Sequence, residues 1–214
     1  MAFSFSKAST FDLDHTLVKV NCSFEFCRYL VRTKILPKKA LFYAIFFYLK
    51  HRFYGLSLEE MHKQLFQRLL MGLHLPTIEH HVQIFLKKHL LHRLYMPAVA
   101  YLKRAQHLGH YTAILSSSPS FIVKPIAEFF KVDEWKASEY EVDSKSCFSR
   151  IGFVLQGRDK AKFIRDLSIG QENIVAFSDS HLDLPFLLSA GCAVLVNPDK
   201  KLLRFSKHRN WSVI

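Results

Sequence analysis

Four short apolar stretches of this 214-residue chain each run straight into a polar cluster, and that repeated join restricts the fold more than any other feature. Ala8 to Leu13 reads as a strand and delivers Asp12, Asp14 and Thr16. Tyr111 to Leu115 reads as a buried strand ending in Ser116-Ser117-Ser118-Pro119. Trp135 to Val142 and Phe148 to Leu155 read as strand or hairpin material around a polar turn, followed by Gly157-Arg158-Asp159-Lys160. Asn173 to Phe177 leads to Ser178-Asp179-Ser180-His181-Leu182-Asp183. Cys192 to Val196 and Trp211 to Ile214 supply two more short strands. Helices are predicted between them: Ala98–Leu108, opened by Pro97 and closed by Gly109, then Phe121–Phe130 and Ala161–Leu167. Strands alternating with helices require right-handed crossovers. The fold class is therefore α/β, with a doubly wound, mostly parallel sheet. All four polar clusters then fall at one edge of that sheet, outside the carboxyl ends where such sheets bind ligands.

The first cluster, Asp12-Leu13-Asp14-His15-Thr16, carries the sharpest chemistry. Two carboxylates leaving one strand end together repel unless something cationic lies between them. A hard, oxygen-seeking ion such as Mg²⁺ suits that position. The plainer reading is an acidic turn in which Asp12 or Asp14 caps a helix. Both readings stand for this cluster alone. In the other clusters, small hydroxyls at Ser116–Ser118 before a helix suit a phosphate oxygen. Lys160, taken by itself, reads as a solvated lysine at a loop–helix junction that is able to reach inward.

Between Lys19 and Arg93 the texture changes to helical spacing. Examples are Phe24, Cys27, Leu30 and Val31, and then Met61, Leu65, Arg68, Leu69 and Gly72. Pro37, Gly55 and Pro76 punctuate the segment, and Ser57 with Glu60 three residues on marks a helix start. Three or four helices and no strands are expected. The division predicted is an α/β core of residues 1–18 and 95–214 with a helical cap domain over 19–94. The insert holds thirteen Lys/Arg against four Asp/Glu, so much of the formal charge of +12 lies there. Such a charge suits polyanions: phosphorylated metabolites, anionic lipid surfaces or nucleic acid. Phe42, Phe46 and Phe47 are expected to pack the small helical unit. The alternative is an apolar, basic-rimmed face that lies on a membrane or holds an acyl chain. Its longest apolar run, Ala40 to Leu49, is too short to span a bilayer. His80, His81, His89 and His92 form no H-E-x-x-H pattern and read as solvated helix residues. Cys22, Cys27, Cys147 and Cys192 show no paired spacing and read as buried thiols in a reducing compartment. With no apolar core of signal-peptide length at the start, a cytoplasmic protein is expected.

These clusters, in this order, resemble the haloacid dehalogenase (HAD) superfamily of hydrolases, in its phosphoserine phosphatase-like branch with a helical cap. Asp12, Asp14 and Thr16 match the first motif, Ser116 the second, Lys160 the third, and Asp179 with Asp183 the fourth. The stretches Ser116–Glu128 and Val196–Trp211 are also similar to that branch. The resemblance implies a Rossmann-like core and a Mg²⁺-dependent phosphatase acting on a phosphate monoester. Asp12 would be the nucleophile, giving an aspartyl-phosphate, and Asp14 the general acid and base. Mg²⁺ would bind Asp12, the Asp14 backbone carbonyl and Asp179. Ser116 and Lys160 would hold the transferring oxygens, and Asp183 would support the metal or orient Lys160. Lys162 competes with Lys160 for the third motif, but Lys160 fits the spacing from Gly157 better. An acid at position 14 favours phosphate-ester hydrolysis over the chemistry of relatives that lack it.

Two positions depart from the pattern. The branch carries a substrate-binding glutamate five residues after the motif threonine, where this chain has Asn21, so phosphoserine is disfavoured. His15 stands where glycine or serine is frequent and reads as a tolerated variant near the entrance. A small phosphorylated metabolite is the expected partner. A lipid phosphate at an anionic membrane surface, such as phosphatidylglycerophosphate, is the first alternative. A non-enzymatic binding scaffold is the other, and nucleic acid is disfavoured.

Overall fold

The computed structural model describes residues 5–214. Its strands are β1 (Ala8–Phe11), β2 (Tyr111–Pro119), β3 (Glu134–Val142), β4 (Phe148–Phe153), β5 (Ile174–Ser178), β6 (Cys192–Leu195) and β7 (Ser212–Val213). They form one sheet in the order β4-β3-β2-β1-β5-β6-β7. Every pairing is parallel except β3 with β4. The chain leaves β1 toward β2 and later returns to its other side at β5. That reversal opens a crevice at the carboxyl end of β1. This is the doubly wound α/β fold expected from the alternation of strands and helices.

Alternating side chains build the two faces. Phe11, Ile114, Phe177 and Val194 enter one apolar cluster, together with Ala98, Val99 and Leu102 of α5 (Met96–His107) and Phe121, Ile122 and Ile126 of α6 (Ser120–Phe130). Their strand neighbours Leu115, Ala176, Ala193 and Leu195 enter a second cluster. It includes Ile164 of α7 (Gly157–Asp166), Phe186 and Leu187 of α8 (Leu184–Ser189) and Leu202 of α9 (Lys200–Ser206). This period of two is what a sheet covered on both faces demands.

Four α-helices lie between β1 and α5: α1 (Cys22–Arg32), α2 (Lys39–Tyr54), α3 (Leu58–Leu69) and α4 (Leu75–Phe85). A π turn at Leu86–Leu90 and a 3-10 turn at Leu91–Arg93 follow them. The predicted start at Ser57 is present, its side chain accepting from the Glu60 N–H at 3.1 Å. α2 ends at Gly55 with φ 71°, a left-handed conformation that suits glycine. Phe26, Leu30, Ile78, Val82 and Phe85 join the cluster that covers the sheet. No helix among the described residues is long and apolar enough to cross a membrane.

Several expectations need correction. β1 stops at Phe11, not Leu13, because the N–H groups of Thr16, Leu17 and Val18 all turn back onto the Leu13 carbonyl. β2 does not end at Leu115 but runs through the serines to Pro119, with the Ser138 hydroxyl donating to the Ser117 carbonyl at 2.6 Å. α7 begins at Gly157, four residues before the predicted start. Phe47 is buried, but Phe42 is 64% and Phe46 40% exposed, so these two do not pack the helical unit. Burial of Ala40, Ala44 and Phe47 turns the opposite face of α2 outward. Cys22 and Cys27 are buried as expected, whereas Cys147 is half-buried and Cys192 exposed. Cys147 sits in the β3–β4 turn, its N–H donating to Asp143, and Cys192 opens β6. His80, His89 and His92 are exposed, while His81 is half-buried against the Tyr29 hydroxyl at 3.1 Å.

Candidate active site

Asp12 follows β1 directly and keeps its N–H on the Phe177 carbonyl of β5 at 2.9 Å, so the sheet ladder fixes its backbone. The chain then turns sharply. His15 takes φ 58° at an exposed position, which explains why glycine suits this place and why a solvated histidine is tolerated. Thr16 is buried and its hydroxyl lies 3.4 Å from one Asp12 carboxylate oxygen.

Lys160 reaches the other oxygen. Its Nζ donates to Asp12 Oδ1 at 2.6 Å and to Asp183 Oδ2 at 2.8 Å. It is 1% exposed, so the solvated reading of this lysine is wrong. Helix α7 starts early enough to turn Lys160 inward, while Lys162 points to solvent. A glycine is required at the helix start. A Cβ at Gly157 would stand 2.3 Å from the Leu182 carbonyl oxygen and 3.2 Å from Asp183 Cα. That close approach sets the lysine against the turn that carries Asp183. Burial alone would lower the Lys160 pKa, but Asp12 and Asp183 outweigh it and hold the ammonium charged.

Asp183 also accepts from the Ser178 hydroxyl at 2.7 Å. Asp179, at the end of β5, lies near enough for Asp12 and Asp183 to act on its charge. Burial first, then the neighbouring carboxylate Asp183, push Asp12 up to about 7 against the pull of Lys160. Burial, Asp12 and Asp183 push Asp179 up to about 8. One ammonium thus faces several crowded carboxylates, a donor set that suits a hard divalent cation. Among the described residues no three His, Cys, Asp or Glu side chains gather closely enough to hold a metal by themselves. A cation here would rest on two carboxylates, a backbone carbonyl and water.

Asp14 is held by a different set of partners, while its charge still reaches Asp12. Its carboxylate accepts from the Cys22 N–H at 2.9 Å, from the Ser118 hydroxyl at 2.8 Å and from the Asn21 amide at 3.3 Å. The Cys22 contact engages a first-turn N–H of α1, but the residue that caps this helix is Asn21, so neither Asp12 nor Asp14 is its N-cap. Asn21 Oδ1 accepts from the Phe24 N–H at 2.9 Å, so both ends of its amide are engaged. Ser116 is buried in β2, with its hydroxyl accepting from the Ser118 N–H at 3.1 Å.

Three further residues belong to this edge. Ser118 joins Asp14 to Ser23 of α1, hydroxyl to hydroxyl at 2.8 Å. Its signal lay in the same serine run that singled out Ser116. Ser178 supports Asp183 and was legible only as a strand-end hydroxyl. Asp199 accepts from the His181 N–H at 3.0 Å and ring Nδ1 at 2.6 Å, while its own N–H donates to the Asp179 carbonyl at 2.8 Å. It opposes its own burial penalty through those hydrogen bonds and stays below the usual carboxylate range. Nothing in the spacing of Asn197-Pro198-Asp199 shows that it ties down the Asp179 loop.

A family model described as haloacid dehalogenase-like hydrolase matches residues 10–188. An inhibition of morphological differentiation protein of Streptomyces azureus is 26% identical, with 97% of this chain aligned to 77% of that one. A probable phosphatase of Mycobacterium tuberculosis is also 26% identical, over 97% of this chain and 74% of its own length. A Bordetella pertussis protein of unknown function shares the fold with a TM-score of 0.86 at 21% identity, covering 99% of both chains. A substrate-bound phosphoserine phosphatase superposes with a TM-score of 0.75 at 16% identity, over 99% of this chain and 94% of that one.

Proposed function

The chain belongs to the haloacid dehalogenase-like hydrolases, and from that membership we propose that it is a Mg²⁺-dependent phosphatase of phosphate monoesters. The observation that carries this reading is the buried Lys160 ammonium bridging Asp12 and Asp183 at 2.6 and 2.8 Å beside a strand end. Asp12 Oδ2 attacks phosphorus as the ester P–O bond breaks, leaving an aspartyl-phosphate. Asp14 gives its proton to the departing alkoxide and later takes one from the water that attacks phosphorus. Asp12 is thereby released with inorganic phosphate. Lys160 and Ser116 hold the transferring oxygens, and Asp183 positions Lys160. Asp12, the Asp14 carbonyl and Asp179 would hold Mg²⁺, which would supply positive charge against the phosphoryl oxygens.

In this reading residues 19–94 act as a cap over a core of 1–18 and 95–214, of which 1–4 lie outside the described residues. The contacts of Ser23 and Cys22 of α1 with Ser118 and Asp14 support this division. A small phosphorylated metabolite is the substrate class, in the cytoplasm. Asn21 is spent on capping α1 and on Asp14, and it offers a substrate ammonium no carboxylate. Phosphoserine is therefore expected to be a poor substrate.

Purified protein incubated with a panel of phosphate esters tests the reading. Phosphate release that needs Mg²⁺ is expected, with Asp12→Asn folded but inactive. Metal-independent release, or full turnover by Asp12→Asn, would reject it.

A further inference from the structure

Helix α2 carries two apolar faces and only one of them is used. Ala40, Ala44 and Phe47 pack inward. Phe42, Ile45, Phe46, Leu49 and Phe53 form an outward stripe, with Phe42 64% and Phe53 71% exposed. Their spacing places them along one side of a helix about 24 Å long. Exposed Lys39 and Lys50 flank the stripe on one side and Arg52 on the other. Lys50 extends its stem along the apolar surface, its Nζ 4.9 Å from the Phe46 ring centre. The helix has no acidic residue, and residues 28–68 hold nine Lys/Arg against two Asp/Glu.

We propose that α2 lies flat on an anionic lipid bilayer. Its Phe42, Ile45, Phe46, Leu49 and Phe53 enter the acyl boundary, while Lys39, Lys50 and Arg52 meet the lipid phosphates. Apolar side chains along one side and basic side chains at the edges are what an interfacial helix requires. Charge selects this occupant. A second copy packed stripe to stripe would set Lys39, Lys50 and Arg52 of both chains around one apolar seam with no carboxylate on the helix to offset them. An anionic surface offers a phosphate for each cation and a hydrocarbon layer for the rings. Docking goes beyond the phosphatase reading and does not depend on it.

Flotation of the full-length protein with vesicles tests the proposal. At low salt the protein is expected to float with phosphatidylcholine vesicles containing about a third phosphatidylglycerol, and to stay behind with phosphatidylcholine alone. High salt should release it. Phe46→Ser with Phe53→Ser should lower partitioning about tenfold or more, and Lys50→Gln with Arg52→Gln about fivefold for each charge removed. Because these side chains are exposed, both double variants should keep the parent thermal midpoint. An Asp12→Asn protein that binds vesicles as the parent does separates docking from chemistry. Failure to float at low salt overturns the proposal, as does binding that ignores the α2 substitutions. A dimer in sedimentation that Phe46→Ser with Phe53→Ser dissolves, without vesicle binding, overturns it in favour of a second copy.

Discussion

Lys160 shows how one side chain organises the site. Its ammonium is the cation that lets Asp12 and Asp183 share a buried space, with both ion pairs below 3 Å. Removing it leaves two carboxylates without their partner. Lys160→Met is expected to cost about 3–5 kcal/mol in denaturant unfolding and about 10²–10³-fold in turnover. Lys162→Met should shift stability by less than about 0.5 kcal/mol and keep full turnover, since that side chain faces solvent. Equal losses in both variants would show that Lys160 is not the lysine that holds the site together. Asn21 acts at the same scale through α1. Asn21→Ala should cost about 1 kcal/mol as the Phe24 N–H loses its acceptor, read from the thermal midpoint. The lysine was selected from sequence only by resemblance and its distance from Gly157, because a polar residue in a first turn carries no sign of which way it faces.

At the scale of elements, the entry of α7 decides whether that lysine reaches its partners. The first turn of the helix packs so closely on the Leu182–Asp183 backbone that only glycine fits at position 157. Gly157→Ala must push α7 away from the Ser178–Asp183 turn. It is expected to destabilise by about 1–3 kcal/mol and to lower turnover as the Lys160–Asp183 pair opens. A thermal scan and kcat together check this, and an unchanged kcat would show that the pair tolerates displacement. The sequence predicts a start at Ala161, and the packing of Gly157 on the Leu182–Asp183 backbone is what moves it four residues earlier. α2 illustrates the opposite limit. Its sequence is apolar nearly all round, so periodicity leaves open which side is buried, and only the positions of α1 and α3 resolve it.

For the whole molecule the net charge of the site couples stability, protons and metal. Asp12 and Asp179 rise from 3.8 to about 7 and about 8 in the folded protein. Between pH 4 and 8 the folded state therefore keeps protons that the unfolded chain has released, and stability falls as pH rises. His62, which burial pushes down to about 4, works the other way, and its contribution is complete above pH 6.5. From pH 6.5 to 8 the aspartates dominate. Without metal the melting temperature should fall across this window. Mg²⁺ should raise it more at pH 8 than at pH 6.5, because the cation binds the deprotonated pair. Melting curves with and without Mg²⁺ at the two pH values check this. Equal metal-induced shifts at both would sink the prediction.

The layered architecture and the strand ends that bear the polar clusters were legible from residues alone, because alternation and strand-to-cluster joins are local and survive without knowledge of packing. The sequence also marked Asp12, Lys160 and Asp183, which converge although Lys160 lies 148 residues from Asp12. Directions came from the packing. It turned Asp14 toward Cys22 and Ser118, put Asp199 behind the Asp179 loop and left the aromatic side of α2 uncovered. The physical reason is common to all three. A side chain's partners are set by which backbone segments come within hydrogen-bond or van der Waals reach, and those distances arise from packing between segments far apart in the chain.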